Sequence, residues 1–194
     1  MSATREPVEV VERLYTAADL ASLPSELATG PVLYELDNGR LLTMSPPGFD
    51  HGFVEANLTG LLHSAAAGQK GKVSCGEVGL ILWRNPDRVV GADVVFIAAE
   101  SLPATRSPEG YLETIPDLVV EVVSKNDTQA HLERKTGDYM QAGVKQVWIA
   151  DPRSKTLTIH RPKTEPERHH LGDTVDAGSL IADFKFRVDD VFVE

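Results

Sequence analysis

Apolar residues recur in two rhythms along this chain, and the switches between them mark its elements. In TAADLASLP, Thr16 stands three residues before Asp19 and Pro24 follows as a stop, which predicts a short capped helix. PVLYELDNGRLLTM alternates on both sides of Asn38-Gly39, a strong two-residue turn signal, and predicts a hairpin of about residues 31 to 37 and 40 to 44. After the break SPPG at 45 to 48 the period changes. Phe53, Val54, Leu58, Leu61 and Leu62 fall on one helical face, giving a helix of roughly four turns that starts near Asp50. Val73 to Cys75, Gly79 to Trp83 and Val89 to Ile97 read as successive strands, the last two joined at Asn85-Pro86-Asp87.

A long loop from about Ala98 to Thr114 precedes a strand at 117 to 123, and a helix from about Asp127 to Ala142 ends at Gly143. KQVWIADP and KTLTIHRP predict a further strand pair. Residues 163 to 176 are polar and loop-like, and LIADFKFRVDDVFVE closes the chain with a short strand or helix. Strands with helices between them and no internal repeat indicate a mixed-sheet α/β or α+β fold. A length of 194 residues suits one domain over 1–194, with a core of about 16–162 and a C-terminal extension at 163–194.

Composition changes this picture only slightly. The 42% hydrophobic and 25% charged content is ordinary for a globular chain. No apolar stretch approaches the roughly 20 residues that cross a bilayer, so a soluble, cytoplasmic protein with no membrane association is expected. The single cysteine, Cys75, is expected as a small buried hydrophobe in a reducing compartment. A net charge of −10 argues against non-specific binding to polyanions, but it also allows carboxylates to gather around a divalent cation.

Candidate chemistry begins with Glu121, set between Val119, Val120, Val122 and Val123 in PDLVVEVVSKND. An isolated ionised carboxylate inside an apolar strand costs several kcal/mol and needs a partner, a proton or a metal. Asp93 repeats the pattern in VVGADVVFIA. If the two strands pair, both acids can meet at one hard cation, magnesium or manganese (Mg2+ or Mn2+), with the carbonyl of Val122 as an extra ligand. The alternative is that each acid sits at the sheet's rim, solvated or bonded to an arginine or a backbone amide. Lys135 lies at the edge of the helical stripe Leu132, Thr136, Tyr139 and Met140, from which its ammonium reaches inward toward Glu121 or else snorkels to water. His169-His170 lack a third ligand and read as surface residues. Lys70, Lys72, Arg84 and Arg88, near strand ends, form either a local basic surface or scattered solvated charge. No phosphate-binding glycine loop, serine-nucleophile elbow or zinc spacing is present.

YELDNGRLLTMSPPGFDH, GADVVFI and, above all, PDLVVEVVSKND followed by ERKTGDYMQAGVKQVWIADP resemble the Uma family of bacterial endonucleases, a branch of the PD-(D/E)xK restriction-endonuclease-like superfamily. The resemblance covers nearly the whole chain. It implies a central mixed sheet flanked by helices, a metal site at one sheet edge, Asp93 and Glu121 as ligands, and Lys135 standing in for the motif lysine, whose usual position holds Val123. Ala92 replaces the motif's proline. Glu35 and His51 fall at further recurrent polar positions of the family. Glu35 is read as a metal ligand, a general base or a carboxylate on the hairpin's wet face; His51 contacts phosphate, orients a water, or merely caps its helix, and Glu55 is a weaker candidate. The implied activity is metal-assisted hydrolysis of DNA phosphodiesters by a homodimer. The rivals are a catalytically inactive binding or regulatory module and a hydrolase of small phosphorylated compounds.

Overall fold

The side chain of Thr16 accepts a hydrogen bond from the Asp19 amide while the Asp19 carboxylate accepts from the Thr16 amide, so helix α1 (Ala17–Ala21) opens on the capping box its sequence predicts. The computed structural model describes residues 13–68, 71–102, 110–178 and 180–193. A two-residue ladder, β1 (Glu26–Leu27) and β2 (Gly30–Pro31), leads into the expected hairpin of β3 (Leu33–Asp37) and β4 (Arg40–Met44). Asn38 and Gly39 both adopt positive φ, 51° and 81°, the left-handed pair that a two-residue turn between twisted strands requires.

Helix α2 (Phe49–Ala66) buries Val54, Leu58, Leu62 and Ala66. Two long strands follow, β5 (Lys72–Trp83) and β6 (Arg88–Ile97), then β7 (Leu118–Val122), helix α3 (Gln129–Ala142), β8 (Gln146–Asp151) and β9 (Thr156–His160). Thr128 caps α3 by accepting from the His131 amide, and α3 ends at Gly143, φ 107°, the stop that the sequence predicts. The main sheet has eight strands in the order β10-β9-β8-β7-β6-β3-β4, with β5 also paired to β6; β10 is Glu167–His169. Among the strands of the described residues only β7 and β8 pair in parallel, joined through α3, so the sheet is mixed.

Each sheet face has its own core. Val94, Phe96, Leu118 and Val120 pack with α2 and with the C-terminal residues Val175, Ile181, Phe186 and Val191. Val90, Ala92, Val95, Val119 and Val147 pack with Tyr139 of α3. The alternation along β6 therefore slips between Ala92 and Val94, so Asp93 sits where the strand changes face. Opposite it, β5 carries a register shift: Cys75 faces Val94 and Val78 faces Ala92, which leaves Gly76 and Glu77 looped out at φ 86° and 55°.

Several expectations need correction. The stretches 73–75 and 79–83 are one bulged strand rather than two, because the bulge interrupts the apolar rhythm without ending the pairing. Cys75 is exposed, not buried. Arg88 is fully buried and cannot belong to a basic surface, since its guanidinium pairs with Glu35 and Asp138. Arg84 is half-exposed and pairs with Glu113. Lys70 and residues 103–109 of the long loop lie outside the described residues. The segment 163–176 is not all loop: it contributes β10 and β11 (Thr174–Asp176), and β11 pairs with β12 (Lys185–Arg187) before the short helix α4 (Asp189–Phe192). Among the described residues no helix is long and apolar enough to cross a membrane.

Candidate functional site

The antiparallel register of β6 and β7 pairs Val94 with Val120, and Asp93 and Glu121 are the next residues beyond that pair on their strands. The two acids therefore lie on adjoining strands, but they are held differently. Asp93 Oδ2 accepts from the Val122 amide at 2.6 Å and lies 3.3 Å from His51 Nε2. The contact that Val122 makes to Asp93 is therefore through its N–H. Glu121 accepts from Lys135 Nζ at 2.8 Å on one oxygen and from the Tyr139 hydroxyl at 2.5 Å on the other.

Lys135 reaches inward rather than to water. Its ammonium also donates to the Gly91 carbonyl at 2.8 Å and meets Glu35 at 3.1 Å. Glu35 has no exposed surface; it accepts from the Gly91 amide at 3.1 Å and from Arg88 Nη1 at 3.4 Å, and Arg88 Nε donates to Asp138 at 2.7 Å. A chain of charged groups therefore runs inward from the partly exposed Asp138 through the buried Arg88, Glu35, Lys135 and Glu121. Glu35 is not on the hairpin's wet face, and it is not among the residues that line the cleft described next.

His51, on the first turn of α2, is buried and faces the floor of a cleft of about 860 Å³. Its Nδ1 has no hydrogen-bond partner, with Glu55 at 3.8 Å. One ligand atom each from His51, Glu55 and Asp93 lies within 4.8 Å of the others. Among the described residues this is the one such grouping of His, Cys, Asp or Glu, and His169 and His170 form none. Glu55 is itself fixed by accepting from the Gly76 amide at 2.8 Å. Glu77, turned in by the bulge, packs against Gly91 so closely that a Cβ there would come within 2.5 Å of Glu77 Oε2. Glu77, Asp93, Glu121 and Lys135 all line the cleft.

The electrostatics express crowding of like charge. Burial, followed by the neighbouring Asp93, pushes Glu77 up to about 7. Burial raises Glu121 to about 8 against the opposing pull of Lys135, and it raises Glu55 as well, with Asp93 adding to both. Burial works against charge on His51 and on Lys135, yet Asp93 outweighs it for the first and Glu121 with Glu35 for the second, so both sit above their ordinary values. The Tyr139 phenol, raised by burial and by Glu121, stays protonated and remains a donor. Carboxylates that repel one another around a buried imidazole with an unpaired nitrogen form a donor set suited to a cation.

Sequence reasoning named Asp93, Glu121, Lys135 and His51, and the structure gathers them at one cleft. It ranked Glu55 low as a solvated helical acid and missed Glu77, Tyr139 and Asp138. Glu55 and His51 were readable as an i, i+4 pair on one helix face. Tyr139 was visible only as part of an apolar stripe, and Glu77 gave no periodic signal at all.

The model of the Uma2 family, described as "Putative restriction endonuclease", matches residues 18–189. The fold is similar to the crystal structure of a protein from Anabaena variabilis described as a "putative nuclease belonging to DUF820", with a TM-score of 0.73 and 17% identity over 91% of this chain and 97% of that one. At that identity the likeness speaks for the fold. No curated protein matches the chain.

Proposed function

This chain belongs to the Uma2 family, and from that membership together with its cleft we propose that it is a divalent-metal-dependent nuclease acting on phosphodiester bonds of DNA. The observation that carries the reading is the convergence of His51, Glu55 and Asp93, within 4.8 Å of one another, at a cleft that His51 and Asp93 line together with Glu77, Glu121 and Lys135. His51, Glu55 and Asp93 would hold the ion, with Glu77, Glu121 and the Val122 carbonyl as further candidates beside them. A nitrogen donor among oxygens suits manganese better than magnesium. The cation supplies Lewis-acid stabilisation of the charge that builds on the phosphate as water attacks.

The protein's own residues do the rest. Asp93, fixed by the Val122 amide, and Glu55, fixed by the Gly76 amide, present carboxylates whose orientation is set before anything binds. Lys135 distributes its three ammonium protons among Gly91, Glu121 and Glu35. It therefore serves first to hold Glu121 in place, assisted by the Tyr139 hydroxyl, and Glu35 and Arg88 act through it as positioning residues. A general base can come from the same cluster: Glu77, at about 7, is poised near neutral pH and lines the cleft.

The test is cleavage of plasmid and oligonucleotide DNA with manganese or magnesium by the wild type, Asp93→Asn and His51→Ala. Loss of activity by about two orders of magnitude or more is expected in both variants. Activity unchanged in both removes the cluster from the reaction. A protein that takes up manganese by calorimetry and cuts simple phosphodiesters while leaving DNA intact is a small-molecule hydrolase instead. One that takes up no metal is a binding module.

A further inference from the structure

Phe49, the first residue of α2, leaves 78% of its surface in water, the most exposed large hydrophobic residue described. A single exposed apolar side chain is ordinary. This one, however, stands on the lining of the cleft that holds the acidic cluster, two residues before His51. Its ring lies nearly parallel to that of Phe53, at 21° and 6.4 Å between centroids, and Phe53 is packed against the core. The ring is thus backed on one side and free on the other, a preformed platform.

Charge around the cleft is sorted in a way the total of −10 would not suggest. On the side of the sheet where β3 and β4 lie, the lining includes Leu42, Met44, Pro47 and Phe49, followed by Asp50; on the side of β7 and β8 it includes Lys125 and Arg153, both exposed and without an ion-pair partner among the described residues, and Asp127. Glu77, Asp93 and Glu121 line the cleft as well. A cleft with one apolar aromatic side, one cationic side and a cation-seeking floor matches the cross-section of a single nucleic-acid strand: base faces, phosphates and the scissile bond. A base paired inside a duplex offers its edge, not its face, to such a ring.

Resting on the nuclease reading above, we infer that the strand enters this cleft unpaired, with a base stacked on Phe49 and its backbone along Lys125 and Arg153, so that single-stranded or locally opened DNA is the substrate class. Stacking of this kind tolerates any base, so the site reads strandedness rather than sequence.

The experiment is fluorescence anisotropy without metal, in EDTA, using a labelled mixed-sequence single strand of about 12 nucleotides, within the usual span of such sites, and the same sequence as a blunt duplex. The wild type is expected to bind the single strand more tightly than the duplex. Phe49→Ala weakens single-strand binding by about ten-fold and Phe49→Trp restores it, both with unchanged melting temperature because the side chain is exposed. Replacing Lys125 and Arg153 by Glu flattens the dependence of log affinity on log salt by about 1.4, two phosphate contacts at ~0.7 each. Duplex bound as tightly as single strand, or single-strand affinity unmoved by Phe49→Ala, overturns the inference. So does a fall in oligomeric size on Phe49→Ala with unchanged DNA affinity, which assigns the ring to contact with a second copy. Because no metal or turnover enters the measurement, Phe49-dependent strand binding without cleavage under any metal condition refutes the nuclease reading alone.

Discussion

Lys135 gives each of its ammonium protons an acceptor, and two of those acceptors are carboxylates shut away from water. Removing such a cation strands its partners, which typically costs about 3–5 kcal/mol. Lys135→Met is therefore expected to destabilise the fold by that order in urea denaturation, and Glu121→Gln added to it should recover part of the loss. Strictly additive effects in that double-mutant cycle would mean the pair is solvated and uncoupled. Lys135 was legible in the sequence as a cation at the edge of an apolar stripe, and its role came from the family resemblance, since helix geometry alone left it reaching inward or out to water. Glu35 was legible as an acid in a strand but not as Lys135's second partner, because that contact joins residues a hundred positions apart. His160, on β9, supplies a pH prediction far from the cleft. Burial lowers its pKa below 6.5, so the unfolded chain binds the proton first. Its contribution to stability is present above about pH 6.5 and is lost as pH falls through that value toward its folded pKa. His160→Gln should flatten the stability profile between pH 7 and 5; an unchanged slope would show that the imidazole is solvated.

At the scale of elements, the bulge at Gly76-Glu77 does more for the site than any regular segment. It supplies the amide that fixes Glu55, turns Glu77 inward, and sits where β6 slips its alternation at Asp93. The sequence showed it only as a gap: SCGEVGL breaks the period of two, and a broken period looks the same whether pairing stops or one strand carries an extra residue. The hairpin turn, the glycine stop of α3 and the capping box of α1 were readable because each rests on a few neighbouring residues. Gly91 offers a handle on the bulge. In Gly91→Ala the new methyl group would press on Glu77 Oε2, the free end of a flexible side chain, which can swing away. Stability should change by less than about 1 kcal/mol, while manganese affinity, measured by calorimetry, falls by about ten-fold through loss of the aligned carboxylate. Unchanged affinity would place Glu77 outside the cation's reach.

Across the whole molecule, the sheet brings to one place residues that the chain scatters: His51 and Glu55 from α2, Glu77 from β5, Asp93 from β6, Glu121 from β7 and Lys135 from α3. The alternation of periods indicated a mixed sheet with helices between its strands, and the family resemblance implied that the helices flank it. The sequence did not indicate that the C-terminal residues complete the core on the α2 face, because Val175, Ile181, Phe186 and Val191 arrive singly among polar neighbours and form no run. A fold that gathers like charges stores repulsion, and this sets stability against function. Asp93→Asn keeps an oxygen that can accept from the Val122 amide while removing a charge that raises Glu55, Glu77 and Glu121. Metal-free Asp93→Asn is therefore expected to melt at a higher temperature than the metal-free wild type. Manganese reverses the order: at a hundred times its dissociation constant, binding to the folded state alone adds about 2.7 kcal/mol to the wild type, and the variant, short of a ligand, gains little. A variant that melts lower without metal, or gains as much from manganese as the wild type, would mean that Asp93 serves the fold rather than the cation.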